Sequence, residues 1–225
     1  MSLNQARFNM IEQQIRPWEV LDATVLELLA RVHREAFVPA PHQALAFADM
    51  ELPLTQPATE GQCLLAPKVE ARLLQDLQLK PTDKVLEVGT GSGFMAALLA
   101  SLAQRVVTVE IDPNLAQRAR DNLKQAGIGN AEVRSADAAA NQFAACTAEG
   151  PFDAIVLSGS VAEVPPALLA LLAPGGRLVA IVGHEPVMRA TIVTRVADAS
   201  FQNAQPWDTL APRLLNFPEA SRFQF

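Results

Sequence analysis

Tyrosine is absent from this chain of 225 residues, and aromatics together make up 5% of it. A surface that stacks bases is therefore poorly supplied. Cysteine is scarce, and Cys63 and Cys146 lie far apart. His33, His42 and His184 are equally scattered, so no metal-ligand spacing arises and no metal is expected. No apolar run reaches the roughly 18 residues that a membrane span needs. The N-terminus lacks the basic, apolar, small-residue pattern of a signal peptide. A reducing, cytoplasmic home is the expectation. Charge is thin at 19% and acidic in balance, with a formal net charge of -6. Lys and Arg never form a run, which speaks against a nucleic-acid backbone as partner. Neither nucleic acid nor membrane is expected to bind.

What is present is mostly apolar. Half the residues are hydrophobic. That suffices for the core of one substantial domain, with or without an N-terminal extension. We read residues 1–80 as a helical and substrate-loop extension lying across the sheet, and 81–225 as the main domain.

Phe8, Ile11 and Ile15 mark a short helix over 3–15, stopped by Pro17. Asp22 is a fitting N-cap for a second helix to about Val32, in which Val25, Leu28, Leu29 and Val32 form one stripe. Trp18 is expected to pack onto the domain. From Phe37 to Pro67 the text is rich in proline and has no long period, and its apolar residues predict an ordered loop region. A helix over about 67–78 follows.

From Lys84 onward, short β-rich runs alternate with helical patterns. Strands are predicted at 84–88, 105–110, 131–135, 152–157 and 177–182. Helices are predicted at 92–102, 114–126 and 165–172. Strands apolar on both faces imply a buried parallel sheet with helices on either side. After Gly183 a period-two strand is predicted at 190–196, and 221–225 reads as a closing edge strand. The tail is then the antiparallel end of a mixed sheet.

Between the first of these strands and its helix stands Glu87-Val88-Gly89-Thr90-Gly91-Ser92-Gly93. Glycines at alternate positions let the chain turn sharply and bring its backbone close to a ligand. In open α/β sheets, ligands bind outside the carboxyl ends of the strands, where the strand order reverses. A dinucleotide loop would carry glycine at the sixth position, where this chain has Phe94. A carboxylate at Glu87 repels a pyrophosphate and suits the ammonium of an amino-acid moiety.

Glu110 ends the second strand, where a carboxylate accepts hydrogen bonds from a ribose diol. That supports an adenosine ligand without choosing among adenosine cofactors. Ile111 is placed to pack on the adenine. Asp137 follows the third strand and suits the exocyclic adenine amine, with Ala136 and Ala138 keeping the pocket narrow; a plain turn aspartate is the other reading. Ser158-Gly159-Ser160 closes the fourth strand with small residues, leaving room for a transferred group and its acceptor, or forming an ordinary turn. His184 follows the fifth strand and is able to face the same edge.

Taken together, these residues resemble protein-L-isoaspartate (D-aspartate) O-methyltransferases, which are class I S-adenosylmethionine-dependent enzymes. The similarity runs from about residue 7 to 183. The general marks are Val85 to Gly93, Glu110 and Pro174-Gly175-Gly176-Arg177-Leu178-Val179. The more specific ones are Val32-His33-Arg34-Glu35-Ala36-Phe37-Val38-Pro39, Phe47-Ala48-Asp49 with Leu52-Pro53-Leu54, Gly61-Gln62 with Pro67, Val69 and Ala71, and Pro151-Phe152-Asp153. The resemblance implies a three-layer, Rossmann-like α/β fold with a mainly parallel, mixed seven-stranded sheet. It implies S-adenosyl-L-methionine as cofactor, held by Glu87, Gly89, Thr90, Gly91, Ser92, Gly93, Glu110, Ile111, Asp137 and Ala138. It further implies an isoaspartyl protein or peptide as methyl acceptor.

The acceptor loop departs from that family's pattern of Gly-Gln-Thr-Ile-Ser, one further residue, then Pro. Here it reads Gly61-Gln62-Cys63-Leu64-Leu65-Ala66-Pro67, so Cys63 stands at the threonine and Leu65 at the serine implicated in catalysis. Cys63, Leu65, Ser158 and Ser160 are the positions expected around the acceptor. A methyltransferase with a small-molecule acceptor, and a non-catalytic relative that keeps the cofactor fold, stay open beside the isoaspartyl reading. Oligomeric state is not legible.

Overall fold

The computed structural model describes residues 2–141 and 143–219. Helix α1 (Leu3–Met10) continues as a π-helical segment (Ile11–Ile15) and a 3-10 turn (Arg16–Trp18), so Pro17 sits inside the last turn rather than before it. Helix α2 (Ala23–Arg31) starts where expected, with Asp22 accepting from the backbone N–H groups of Thr24 and Val25. A 3-10 turn (Arg34–Ala36) leads into the proline-rich stretch, which holds another (Ala40–Leu45) and a small antiparallel pair, β1 (Leu52–Pro53) and β2 (Cys63–Leu64). Helix α3 (Pro67–Leu77) begins with proline, whose missing N–H costs nothing at a first helical position.

The main sheet follows as β3 (Lys84–Val88), α4 (Phe94–Leu102), β4 (Arg105–Glu110), α5 (Pro113–Gln125), β5 (Ala131–Ser135), α6 (Ala144–Thr147), β6 (Phe152–Val161), α7 (Pro166–Leu169), β7 (Leu172–His184), β8 (Val187–Ala197) and β9 (Ser200–Thr209). The strand order is β5-β4-β3-β6-β7-β8-β9. Pairing is parallel from β5 through β7 and antiparallel at β8 and β9. This is the mixed, mostly parallel, Rossmann-like sheet with flanking helices that the sequence implies.

The expected closing strand at 221–225 lies outside the described residues. The seventh strand is β9, a segment the pattern did not mark. Its side chains are mostly exposed, with Trp207 buried, so it carries no apolar alternation to read. Strands β6 and β7 also run longer than expected.

Period two sorts the strand side chains into two cores. Val85, Val106, Ala154, Val156 and Val179 face a cluster shared with α2, α3, α4 and α5. Leu86, Val88, Val107, Ile155, Leu157 and Leu178 face a second cluster with Phe143, Cys146 and Leu168. The N-terminal helices thus lie on one face of the sheet. Trp18 meets Trp207 edge-on at 5.8 Å between ring centroids, under Lys68. Asp76 accepts from the Trp207 indole N–H at 2.8 Å. Trp18 is therefore packed on the sheet's antiparallel end, away from the glycine loop. Among the described residues no helix is long and apolar enough to cross a membrane.

Candidate active site

The strand order reverses at β3: the chain adds β4 and β5 on one side of it, then crosses to add β6 and β7 in parallel on the other. A cleft opens over the carboxyl ends of these strands, as the topology demands. Its walls include Gly89, Gly91, Glu110, Ile111, Asp137, Ala138, Ser158 and Cys63. Eight of the residues singled out from the sequence are thus brought together.

The glycine loop adopts its shape by backbone freedom. Gly89, Gly91 and Gly93 all have positive φ, at 93°, 55° and 88°. A Cβ on Gly91 would stand 3.0 Å from Leu54, and one on Gly93 would press on Ala119 of α5. Positive φ and close approach both require glycine here. The loop is fastened from two sides. Gly89 N–H donates to the Val109 carbonyl at 2.9 Å, and Gly91 N–H to Glu110 Oε2 at 2.8 Å.

Glu110 Oε1 accepts in addition from Asp112 N–H at 3.0 Å. Burial pushes its carboxyl above the ordinary value, and the backbone N–H groups of Asp112 and Gly91 oppose that. Each carboxylate oxygen has a second lone pair, so a diol can be accepted without breaking either bond. Asp137 accepts from Ala139 N–H at 2.9 Å and from the Asn216 side-chain amide at 2.7 Å.

Other residues named from the sequence stand behind the cleft wall. Glu87 shares the face of Val85, not the strand edge, and is wholly buried. It accepts from Thr108 Oγ1 at 2.6 Å and from Ser158 Oγ at 2.8 Å. Thr90 Oγ1 lies 2.5 Å from Thr108 Oγ1, so a buried polar chain joins the loop to the ends of β4 and β6. Burial raises Glu87 to about 8, with the two hydroxyls opposing and Glu70 and Glu110 adding to it. Ser158 lines the cleft and Glu87 does not, so Ser158 stands between Glu87 and the cleft. Ser92 is buried and Gly93 caps α4, so both shape the turn without lining the cleft.

The acceptor end differs more from the sequence reading. Leu65 is 5% exposed, inside the hydrophobic cluster with α3. It does not line the cleft, and its carbonyl accepts from Arg34 Nη2 at 2.7 Å. Arg34 is itself buried and paired with Glu70, and its Nε donates to the Ala46 carbonyl at 3.0 Å. Leu65 is therefore core, because the backbone turns there to start α3. Ser160 is also buried, its hydroxyl donating to the Ala211 carbonyl at 2.8 Å. Cys63 does line the cleft, with Sγ 3.6 Å from Glu51 Oε2. Burial and the Glu51 charge push this thiol up to about 12, which disfavours the thiolate.

The room expected beside Gly159 is taken. A Cβ there would meet Leu214 at 2.8 Å and the Pro212 carbonyl at 3.0 Å. The chain after β9 returns across the cleft, and Arg213, Leu214, Leu215 and Phe217 join its walls. Phe217 packs on Phe143 at 5.4 Å. Gln62, on the opposite rim, donates to Asp112 at 3.1 Å. The return segment was missed because a single crossing strand of mixed residues has no period.

Comparison with known proteins agrees with this geometry. The family model described as protein-L-isoaspartate(D-aspartate) O-methyltransferase matches residues 5–209. The protein-L-isoaspartate O-methyltransferase of Methanoculleus marisnigri is 41% identical over 177 residues, covering 79% of this chain and 77% of the relative. Protein-L-isoaspartate O-methyltransferase 2 of Marinobacter nauticus is 38% identical over 207 residues, covering 92% and 91%. Among solved structures, a protein-L-isoaspartate O-methyltransferase superposes with a TM-score of 0.75 at 20% identity, over 96% of this chain and 66% of the other. A Plasmodium falciparum structure described as a protein of that kind, in complex with S-adenosyl-L-homocysteine, superposes with a TM-score of 0.71 at 20% identity over 92% and 98%.

Proposed function

The chain belongs to the protein-L-isoaspartate(D-aspartate) O-methyltransferase family, and from that premise we propose that it moves a methyl group from S-adenosyl-L-methionine to the carboxylate of isoaspartyl residues in proteins or peptides. This is a protein-repair chemistry. The observation that carries the reading is the cleft itself: a three-glycine loop tied to Glu110, with Asp137 across from it and Ser158 between them and the acceptor end.

The residues fit the cofactor. Glu110 suits the ribose diol, Ile111 and Ala138 the flat faces of the adenine, and Asp137 its amine. The bound cofactor supplies an electrophilic methyl group on a sulfonium. Glu110 and Asp137 make the cleft electron-rich, which favours that cation. A carboxylate acceptor is already a nucleophile, so no general base is required, and the protein's contribution is orientation. The Ser158 hydroxyl, held by Glu87, fixes the wall between donor and acceptor. The two free thiols, Cys63 and Cys146, support a reducing, cytoplasmic setting.

A second reading rests on the acceptor loop. Leu65 offers no hydroxyl, and Cys63 is turned to Glu51. That favours an acceptor outside the isoaspartyl class, a small molecule included. Incubation with cofactor and an isoaspartyl peptide tests the choice. The main reading expects a peptide methyl ester. An unmodified peptide, with another acceptor methylated, contradicts it.

A further inference from the structure

The return segment brings a cation to the acceptor end. Ser160 N–H donates to the Pro212 carbonyl at 2.7 Å, and Leu214 N–H to the Ser160 carbonyl at 2.9 Å, so residues 212–214 run beside the end of β6. Neighbouring side chains of an extended segment point opposite ways. Leu214 covers Gly89 and Gly159, while Arg213 reaches the end of β7. There its Nη2 donates to the Gly183 carbonyl at 2.9 Å, and its Nε stands 3.0 Å from Glu219 Oε1. His184 Nε2 lies 3.1 Å from the other oxygen of Glu219. Arg213 Nη1 is buried and has no hydrogen-bond partner among the described residues.

Charge gives this arrangement its meaning. The cleft is walled by Glu60, Glu110 and Asp137, with Glu51 against Cys63. Such a site repels a carboxylate unless a cation receives it. Among the described residues lining the cleft, Arg213 is the one with a permanent positive charge. A guanidinium with an unspent N–H matches a carboxylate in shape and charge. The structure already holds a carboxylate on this fork, that of Glu219.

Resting on the reading of the site as a carboxylate methyltransferase, we propose that Arg213, with His184 beside it, receives the acceptor's carboxylate, and that Glu219 is the internal carboxylate exchanged for it. Arg213 then supplies a charged contact that Cys63 and Leu65 of the loop do not.

The test is calorimetric titration of an isoaspartyl peptide into the protein saturated with S-adenosylhomocysteine, with steady-state methyl transfer measured in parallel. Arg213→Gln is expected to weaken peptide binding about 30-fold, the scale of a lost charged hydrogen bond, and to leave S-adenosylhomocysteine affinity unchanged. Arg213→Lys recovers part of the loss. Glu219→Gln removes the competitor and tightens peptide binding, which a merely structural role would not do. Thermal unfolding of each variant reports on its folding.

Unchanged peptide binding in Arg213→Gln overturns the anchor, as does a wild type that binds no isoaspartyl peptide. Weaker or equal binding in Glu219→Gln overturns the exchange. If peptide binds through Arg213 but gains no methyl, the proposed function fails while the anchor stands. If methyl transfer proceeds and ignores Arg213, the anchor alone fails.

Discussion

The donor side of the cleft and its acceptor side are built from different material. The donor side is made of strand ends and the turns that leave them: Gly89 to Gly93 after β3, Glu110 after β4, Asp137 after β5. Each is placed by the strand next to it, and the loop is bonded to its neighbours through Val109 and Glu110. The acceptor side is assembled from pieces far apart in the chain, with Cys63 from the small β pair, Ser158 from β6, and Arg213, Leu214, Leu215 and Phe217 from the return segment. A side built locally tolerates little change, whereas a side assembled from loops can trade one residue's role for another's. Leu65, turned into the core, and Arg213, brought to the cleft by the return segment, show how freely such pieces vary.

Substitutions on the two sides should therefore fail differently. The largest effect is expected at Leu65. Restoring the family's serine by Leu65→Ser removes a buried leucine from the core and leaves a hydroxyl there, costing about 2–5 kcal/mol of stability. Chemical denaturation should show the loss, and methyl transfer should not rise, since the side chain points away from the cleft. A gain of transfer without destabilisation would place Leu65 at the acceptor and erase the contrast.

Next comes Glu110→Ala on the donor side. Removal of a carboxylate that binds a diol costs about 1.5–3 kcal/mol, which is roughly 10- to 150-fold in S-adenosylhomocysteine affinity by calorimetry. Acceptor binding should move little. Equal losses for both ligands would mean that the two sides are one unit.

The most gradual effect belongs to the buried chain between them. Glu87 is raised from 4.5 to about 8 by burial first, so the folded protein keeps a proton that the unfolded chain releases. Its contribution to stability is full below about pH 4.5 and is lost as pH rises to about 8. One proton corresponds to a slope of about 1.4 kcal/mol per pH unit at most. Glu87→Gln should flatten the decline of stability across that window. An unaltered slope would show that Glu87 is ionised in the folded state.

The same contrast decides what the sequence could tell. The strand and helix boundaries from Lys84 to Ser135 and the residues at their ends were legible, because period, capping and glycine at turns act within a few residues. Glu87 was placed on the right strand and read as suiting an ammonium, but its full burial was not foreseen. Its neighbour Val85 shows the face it shares, and the hydroxyls of Thr108 and Ser158 that make that burial tolerable come from other strands. Strand β9 was not legible, since an edge strand with one buried tryptophan has no alternation. Leu65 was read by its place in a motif, and a motif does not say which way a side chain points. Arg213 and Glu219 meet His184 and Gly183 only because the return segment pairs with Ser160. No pattern within either segment carries that pairing.

The most direct test of the central claim pairs two peptides that differ only in whether one residue is isoaspartyl or aspartyl. Each is offered with methyl-labelled S-adenosylmethionine, beside a set of small carboxylic acids. The account predicts base-labile label in the isoaspartyl peptide and none in its aspartyl twin. Label confined to a small acid, or no label while S-adenosylhomocysteine binds, would contradict it.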